Sequence, residues 1–237
     1  MGPTPTYNAV HPKGKWMLRN PPPLTFALVF SIVFFGMSRI LFAQEEDLRF
    51  QVVDLKGKAF VYRDEDDVTA RLHKNQKVDD GDKIFTDPKS EIVLRLKGRA
   101  YLRLASNSKI VFSKLRWNDA RGVQLRINLV KGRMLMQLDR IQKPAYEITA
   151  GKMLYRAHGT LFDASRKKEV IYLTSYDGVM VANFPSQTVL VKEGQVMRIE
   201  NGRFRYKHYL KIEDKARLED WQNQLSEIRG KHSQGSR

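Results

Sequence analysis

The chain has 237 residues, 42% of them hydrophobic, and a formal net charge of +16 at pH 7. This length and composition allow one sizeable buried core, so we expect one main domain. The absence of cysteine excludes disulfides, thiolate metal sites and cysteine nucleophiles.

Residues 1–43 have the layout of a secretory signal peptide. Basic residues and no acidic ones precede the apolar stretch 24–37, and Arg39 interrupts the apolar run. Ala43 then offers a small residue at a cleavage position before Gln44. We therefore predict that residues 1–43 are a signal peptide and that it is removed.

The alternative interpretation of this segment is an uncleaved inner-membrane anchor. Residues 24–43 number 20, about the length that spans a hydrocarbon core. We favour cleavage because Arg39 breaks the apolar run, with Met17 as a second candidate for the start of the leader. Both interpretations place residues 44–237 outside the cytoplasm, so we expect a periplasmic location and no nucleic-acid partner.

The predicted mature chain is strongly basic. Residues 44–237 hold 38 basic and 26 acidic residues, a net charge of +12. A surplus of this size favours anionic partners, such as an acidic protein surface or an anionic wall polymer.

A predicted linker at 44–50 leads into a predicted β domain at 51–207. Short alternating segments recur there, with turn residues roughly every 8–12 positions and no long helical period. In the segments 92–96 and 101–104, apolar residues alternate with basic ones, which predicts a half-buried antiparallel pair with a basic outer face. We predict an all-β fold, an antiparallel two-sheet sandwich or roll with a C-terminal amphipathic helix.

Two dipeptides predict β-hairpins inside this domain. Asp177-Gly178 lies between the alternating runs 170–174 and 179–181, and Asn201-Gly202 lies between two later strands. Both central residues of a type I′ turn have positive φ, which Gly, Asn and Asp tolerate better than other residues.

Residues 208–230 are predicted to form the C-terminal helix. One face carries four apolar residues spaced three, four and three apart, namely Leu218, Trp221, Leu225 and Ile228. Glu213 and Asp214 suit the N-terminal end, and Gly230 suits the position just after the C-terminal end. We expect the helix to pack on its own domain, with partner binding as the alternative, and residues 231–237 to form a disordered tail.

No sequence motif indicates catalysis or metal binding. The chain lacks G-x-S-x-G, H-E-x-x-H, P-loop and G-x-G-x-x-G sequences. Asp79, Asp80 and Asp82 lack the further ligands of a calcium loop and favour a solvated turn. Histidines at 73, 158 and 208 lack metal-ligand spacing. We therefore expect a non-enzymatic protein without a cofactor or a metal.

A series of short motifs runs in order from Asp80 to Gln195. It opens with Asp80-Gly81-Asp82-x-Ile84-x-Thr86 and continues with Leu129-x-x-Gly132 and Tyr146-x-Ile148-Thr149-Ala150. Gly159-Thr160-x-Phe162 and Tyr176-x-Gly178-Val179-x-Val181 follow. In this order the motifs resemble the FecR-type extracytoplasmic (periplasmic) domain, and Asp220-Trp221 resembles the D-x-W segment that often follows such domains.

The resemblance implies a β domain located in the bacterial envelope. His158 stands where the family usually has an arginine before Gly-Thr, so a role tied to that arginine does not carry over. The family's founding members are transmembrane regulators with a cytoplasmic anti-sigma domain before the membrane helix. Only 23 residues precede Leu24, too few for such a domain, so we do not carry over a role in sigma-factor regulation.

Two functions from different classes fit these features. The first is a non-enzymatic interaction module, an adaptor or scaffold in envelope signalling or assembly that contacts an acidic envelope protein. The second is a binder of an anionic cell-wall or outer-membrane polymer through the basic β face. An enzyme acting on wall polymers is a third hypothesis, which no motif supports.

The predicted contact surface combines the basic strand pair with the Gly-Thr turn. Its candidate binding residues are Arg95, Lys97, Arg99, Tyr101, Arg103, His158, Gly159 and Thr160.

Overall fold

The computed structural model describes residues 48–64, 67–96, 100–118, 122–138, 145–151 and 153–234. The predicted export segment, residues 1–43, lies outside these ranges. Among the described residues, no helix is both long and apolar enough to cross a membrane.

Fifteen strands and one helix follow one another in the described part of the chain. They are β1 (Phe50–Lys56), β2 (Ala59–Arg63), β3 (Val68–Arg71), β4 (Lys77–Val78), β5 (Lys83–Thr86), β6 (Glu91–Leu96), β7 (Ala100–Leu104), β8 (Lys109–Asn118), β9 (Gly122–Leu138), β10 (Ala145–Ala150), β11 (Met153–Lys167), β12 (Val170–Asn183), β13 (Thr188–Val191), β14 (Gln195–Glu200), β15 (Arg203–Tyr209) and α1 (Ile212–Gln234). The predicted all-β fold class with a C-terminal helix is confirmed.

Hydrogen bonds join all of these strands into one sheet. The sheet order is β15-β14-β12-β11-β10-β9-β7-β6-β1-β4, with β13 paired to β12 and a branch through β8, β5, β2 and β3. The two-sheet arrangement of the predicted sandwich is therefore not confirmed. The long strands instead exchange partners along their length, so a single sheet encloses a barrel-like core.

Strand β9 is the point at which the sheet divides. Its first half pairs with β8 and, in parallel, with β10, whereas its second half pairs with β7 and β11. Gly132 lies at the change of partner with φ +89°. A Cβ at this position would lie 2.1 Å from Ser108 Oγ and 2.4 Å from Ser108 Cα, so the close approach requires glycine.

Strands β11 and β12 bend at the point where the sequence predicts a hairpin at Asp177-Gly178. β12 continues through Asp177-Gly178, so the hairpin predicted there is wrong. Gly178 has φ +83° but Asp177 does not have positive φ, and a type I′ turn needs both. The register of β11 shifts opposite this point, between His158 and Leu161. Gly178 therefore serves a bend, and the chain reverses near Lys168, where φ is +55°.

The second predicted hairpin is confirmed. Asn201 and Gly202 have φ values of +52° and +70° and connect β14 to β15. Both central residues thus adopt the backbone conformation that a type I′ turn needs.

Apolar side chains form two clusters on opposite faces of the sheet. The larger cluster fills the barrel-like core and includes Phe50, Phe112 and Phe162. The smaller cluster lies on the outer face, where it joins α1 to the sheet through Val53, Val93, Leu135, Leu161, Tyr176, Trp221, Leu225 and Ile228. The expectation that the helix packs on its own domain is confirmed.

The helix begins and ends later than the sequence predicts. Asp214 accepts a hydrogen bond from the backbone N–H of Lys211 (2.9 Å), which caps the first turn. The predicted stop at Gly230 is wrong, because α1 continues to Gln234 and includes residues 231–234 of the predicted tail. Ile228 is buried and the Arg229 guanidinium lies 5.3 Å from the Tyr101 ring. These contacts hold the last turns in place despite the low helix propensity of glycine.

We expect Gly132→Ala to lower the free energy of unfolding by about 2 kcal/mol or more, because it adds a clash with Ser108 to the strain of positive φ. Gly194→Ala is the matched control, since Gly194 has φ +75° but no atom within 4 Å of its built Cβ. That variant should lose only about 1 kcal/mol. Urea denaturation of both variants measures the difference. Equal losses would show that the contact with Ser108 contributes nothing.

Candidate interaction surface

The register of the sheet brings several of the predicted binding residues together. Arg95 pairs with Tyr101 across β6 and β7, Tyr101 pairs with Gln137, and Gln137 pairs with Leu161. Directly paired residues share one face of a sheet. The row therefore ends beside the Gly159-Thr160 segment, which immediately precedes Leu161 in β11.

Two of the predicted residues, Lys97 and Arg99, lie outside the described residues. Gly159 and Thr160 belong to β11, in the stretch where the β11–β12 register shifts. His158 is exposed and pairs with Val179 of β12.

Arg103 is held between the sheet and the helix. Its Nη2 lies 2.6 Å from Glu91 Oε2 in β6, and its Nη1 lies 2.6 Å from Asp220 Oδ2 in α1. Burial disfavours the charged guanidinium, but the two carboxylates outweigh it and raise the pKa of Arg103. The side chain is only 19% exposed, so Arg103 joins parts of the chain that are 117 residues apart.

Helix α1 also engages the neighbours of Arg103. Gln224 donates hydrogen bonds from Nε2 to Glu91 Oε1 (2.7 Å) and to Asp54 Oδ2 (3.2 Å). Arg95 donates a hydrogen bond to Gln51 at 3.3 Å. The outer face of β6 and β7 is therefore partly a docking surface for the protein's own helix.

A second set of ionic contacts lies under the first turns of α1. Asp163 is 1% exposed and accepts a hydrogen bond from Arg133 Nε at 2.5 Å. Burial raises the pKa of Asp163, although the Arg133 guanidinium opposes the shift. On the helix, Arg217 bonds to Asp214.

A cleft of about 110 Å³ separates these groups. Its lining residues are Arg103, Ala105, Arg133, Leu135, Asp163, Arg217 and Asp220. Each of the three arginines already has a carboxylate partner. The cleft is therefore best understood as the polar part of the helix–sheet junction. In the part of the chain that the structure describes, no group of three or more potential metal ligands occurs.

Another basic region lies beside His158. Arg156 is 48% exposed and its Nε lies 3.3 Å from Glu147 Oε1 in β10. Arg126 of β9 is 43% exposed and donates to Glu147 Oε2 at 2.9 Å. Burial opposes ionisation of Glu147, but the two arginines outweigh it and lower the pKa of this carboxyl. The group of three side chains keeps a net positive charge.

Sequence reasoning missed one further surface, strand β15. Its basic residues at 203, 205 and 207 alternate with aromatic residues or histidine at 204, 206 and 208. The strand lies at the end of the sheet order, next to β14. The alternation is visible in the sequence, but the edge position is not.

Residues 82–181 match the family model described as FecR protein. Over these residues the chain is similar to a FecR domain. The resemblance predicted from the ordered motifs is confirmed over these residues, which run from the turn before β5 into β12. Strands β13 to β15 and helix α1 follow the matched segment.

Two crystal structures, each of a candidate anti-sigma factor from Parabacteroides distasonis ATCC 8503, are similar to this chain. The first shares 10% identity with a TM-score of 0.45, and the second shares 11% identity with a TM-score of 0.44. Each match covers 54% of this chain and 59% of the other. No curated protein matches the chain.

We expect Arg103→Met to lower the free energy of unfolding by about 1–3 kcal/mol, because it leaves the largely buried carboxylate of Glu91 without its cation. Arg116→Met is the control, since Arg116 is 74% exposed and lies 3.8 Å from Asp80. It should change stability by less than about 0.5 kcal/mol. Urea denaturation tests both, and an Arg103 variant as stable as the control would contradict the ion-pair role.

Glu147→Gln should make stability less dependent on pH. Because the pKa of Glu147 is lowered on folding, its ion pairs stabilise the fold above the unfolded-state pKa and are lost as pH falls through the folded-state pKa. The variant should therefore be less stable than the parent at pH 7, by about 1 kcal/mol or less, and equally stable in acid. Glu219→Gln, an exposed change on α1, is the control. Urea midpoints across the acidic range measure the effect, and a pH-independent loss would contradict the assignment.

Proposed function

We propose that this protein is a non-enzymatic interaction module of the bacterial envelope that acts as an adaptor or scaffold in signalling or assembly. The observation that carries the proposal is the FecR match over residues 82–181, because the family's founding members are envelope regulators. The export layout of residues 1–43 supports a periplasmic location, with a cleaved leader favoured over a membrane tether.

The proposed partner is an envelope protein with an acidic surface. The proposed contact region includes Arg95, Tyr101, His158 and the Gly159-Thr160 segment. Arg95 and Tyr101 are paired across β6 and β7, and β9 lies between β7 and β11. Arg103 lies in the same region but is committed to Glu91 and Asp220. Its role in the proposed surface is to position the helix that borders the contact.

A second candidate function is binding of an anionic cell-wall or outer-membrane polymer. The observation in its favour is the exposed arginine side chains of β8 to β11, which include Arg116, Arg126 and Arg156. Attraction between exposed charges is screened over about 8–10 Å at physiological ionic strength. Polymer binding should therefore weaken steeply with salt and should also be lost when the wall is digested, whereas binding to a protein should survive wall digestion.

The test is affinity capture from envelope extract with the double variant Arg95→Glu/His158→Glu. The matched control is Lys74→Glu/His73→Glu, which changes the same kinds of charge at exposed positions between β3 and β4. We expect the first variant to capture at least about tenfold less partner than the parent protein, because its two new negative charges would face an acidic surface. The control should retain it. Equal capture by both variants would contradict the proposed surface.

The same capture, repeated at high salt and after digestion of the wall, separates the two functions. Proteins that are retained under all conditions support the interaction module. Retention that disappears with salt and with wall digestion supports the polymer binder instead.

A further inference from the structure

Strand β15 is the longest of the strands that have a single neighbour in the described sheet. β4 has two residues and β3 and β13 have four each, whereas β15 has seven. Exposed edges present unpaired backbone N–H and C=O groups to other chains, and proteins usually keep such edges short. A seven-residue edge therefore calls for a physical reason.

The backbone pattern identifies the groups that point away from β14. The N–H of Leu210 donates to the carbonyl of Gly194 at 2.9 Å. Inward and outward pairs alternate along an antiparallel ladder, so the N–H groups of His208 and Tyr206 also point toward β14. Those of Lys207 and Tyr209 point outward. Between Phe204 and Tyr206 the register shifts by one residue, so residues 206–209 form the regular part of the edge.

The charge of the edge limits what can pair with it. Arg203, Arg205 and Lys207 are exposed along β15. Arg205 Nε lies 3.2 Å from Glu200 Oε2, and Lys207 Nζ donates a hydrogen bond to the Leu190 carbonyl at 3.1 Å. Like charges placed opposite each other destabilise paired strands. A second copy of this basic strand would therefore be repelled, whereas an acidic strand would be attracted.

Exposed aromatic and aliphatic residues lie close together in sequence at the C-terminal end of β15. In the described chain, five large apolar residues are exposed, and three of them fall within seven positions: Tyr206 (44%), Tyr209 (77%) and Ile212 (84%). Tyr206 and Tyr209 are three positions apart in one strand and therefore point to opposite faces of the sheet, so an added strand has one exposed tyrosine beside it on each face. The Arg198 guanidinium lies 5.8 Å from the Tyr206 ring and helps to hold it.

We propose that β15 binds an extended acidic segment of an envelope protein, which adds to the sheet as a further strand along residues 206–209. The outward N–H and C=O of Lys207 and the outward N–H of Tyr209 supply hydrogen bonds to the added strand. The Tyr209 carbonyl already lies 2.7 Å from His208 Nδ1. Acidic side chains of the segment pair with the basic residues of β15, and Tyr209 and Ile212 contact its apolar side chains. This inference rests on the proposed function, because it names the chemistry of the protein partner.

The probe is a fluorescein-labelled ten-residue peptide with alternating glutamate and valine or threonine, titrated with the full chain by fluorescence anisotropy. We expect micromolar binding that weakens as salt rises. A lysine analogue of the peptide should not bind. Absence of binding of the acidic peptide at about 1 mM chain would overturn the proposal.

Two variants at one position separate backbone pairing from charge. Lys207→Gln removes the charge and the hydrogen bond from Lys207 Nζ to the Leu190 carbonyl (3.1 Å). Lys207→Pro removes both of these and also the outward N–H, which an edge strand tolerates. We expect the proline variant to bind the peptide about threefold to tenfold more weakly than the glutamine variant. Circular dichroism and thermal melts check that both remain folded. Equal affinities of two folded variants would overturn strand addition.

Two further measurements separate strand addition from attraction by charge alone. Hydrogen exchange of residues 203–210 should slow when the peptide binds, because the outward amides become bonded. Inorganic polyphosphate is the comparison ligand. If it binds as tightly as the peptide and Lys207→Pro does not weaken its binding, the edge is a site for charge alone and the proposal is overturned. If envelope capture survives in the Lys207 variants while peptide binding fails, the inference is wrong and the proposed function stands.

Discussion

The fold depends on burying the second apolar face of its sheet. Val93, Leu135 and Leu161 point away from the barrel-like core, although their neighbours along each strand face into it. An antiparallel sheet with two apolar faces needs a second covering layer. Helix α1 supplies that layer, and Trp221, which is fully buried, is its largest contribution. Burial of these apolar side chains determines which face of the helix packs on the sheet.

Polar contacts then set the position of the helix along the sheet. Asp220 pairs with Arg103, and Gln224 donates a hydrogen bond to Glu91, so charge-assisted hydrogen bonds run beside the apolar stripe of the helix. The interaction that orders the helix also uses the residue that would otherwise be the centre of a basic binding face. Arg103 therefore cannot both dock the helix and bind a partner. The surfaces that remain for partners lie beside the helix or at the edge of the sheet.

The curvature of the sheet comes from a few positions where strands change partners. Gly132 lets β9 leave β8 and β10 for β7 and β11, and the bend at Gly178 faces the shifted register after His158. The FecR motifs that carry the family resemblance include Gly132, Gly178 and the Gly159-Thr160 pair. Their physical role here is to bend long strands, which explains why glycine occurs at positions that otherwise read as strand interior.

Local periodicity in the sequence was enough to predict most of the strands and the apolar stripe of the helix, and the Asn201-Gly202 dipeptide predicted its turn. The resemblance to FecR domains came from the order of short motifs. These features depend on neighbours a few residues apart. The bend at Gly178, the use of Arg103 by α1 and the edge position of β15 depend on pairings between distant segments, such as the 117 residues between Arg103 and Asp220. No local pattern encodes them, because a strand has the same alternation whether it lies at the centre of a sheet, at its edge or under a helix.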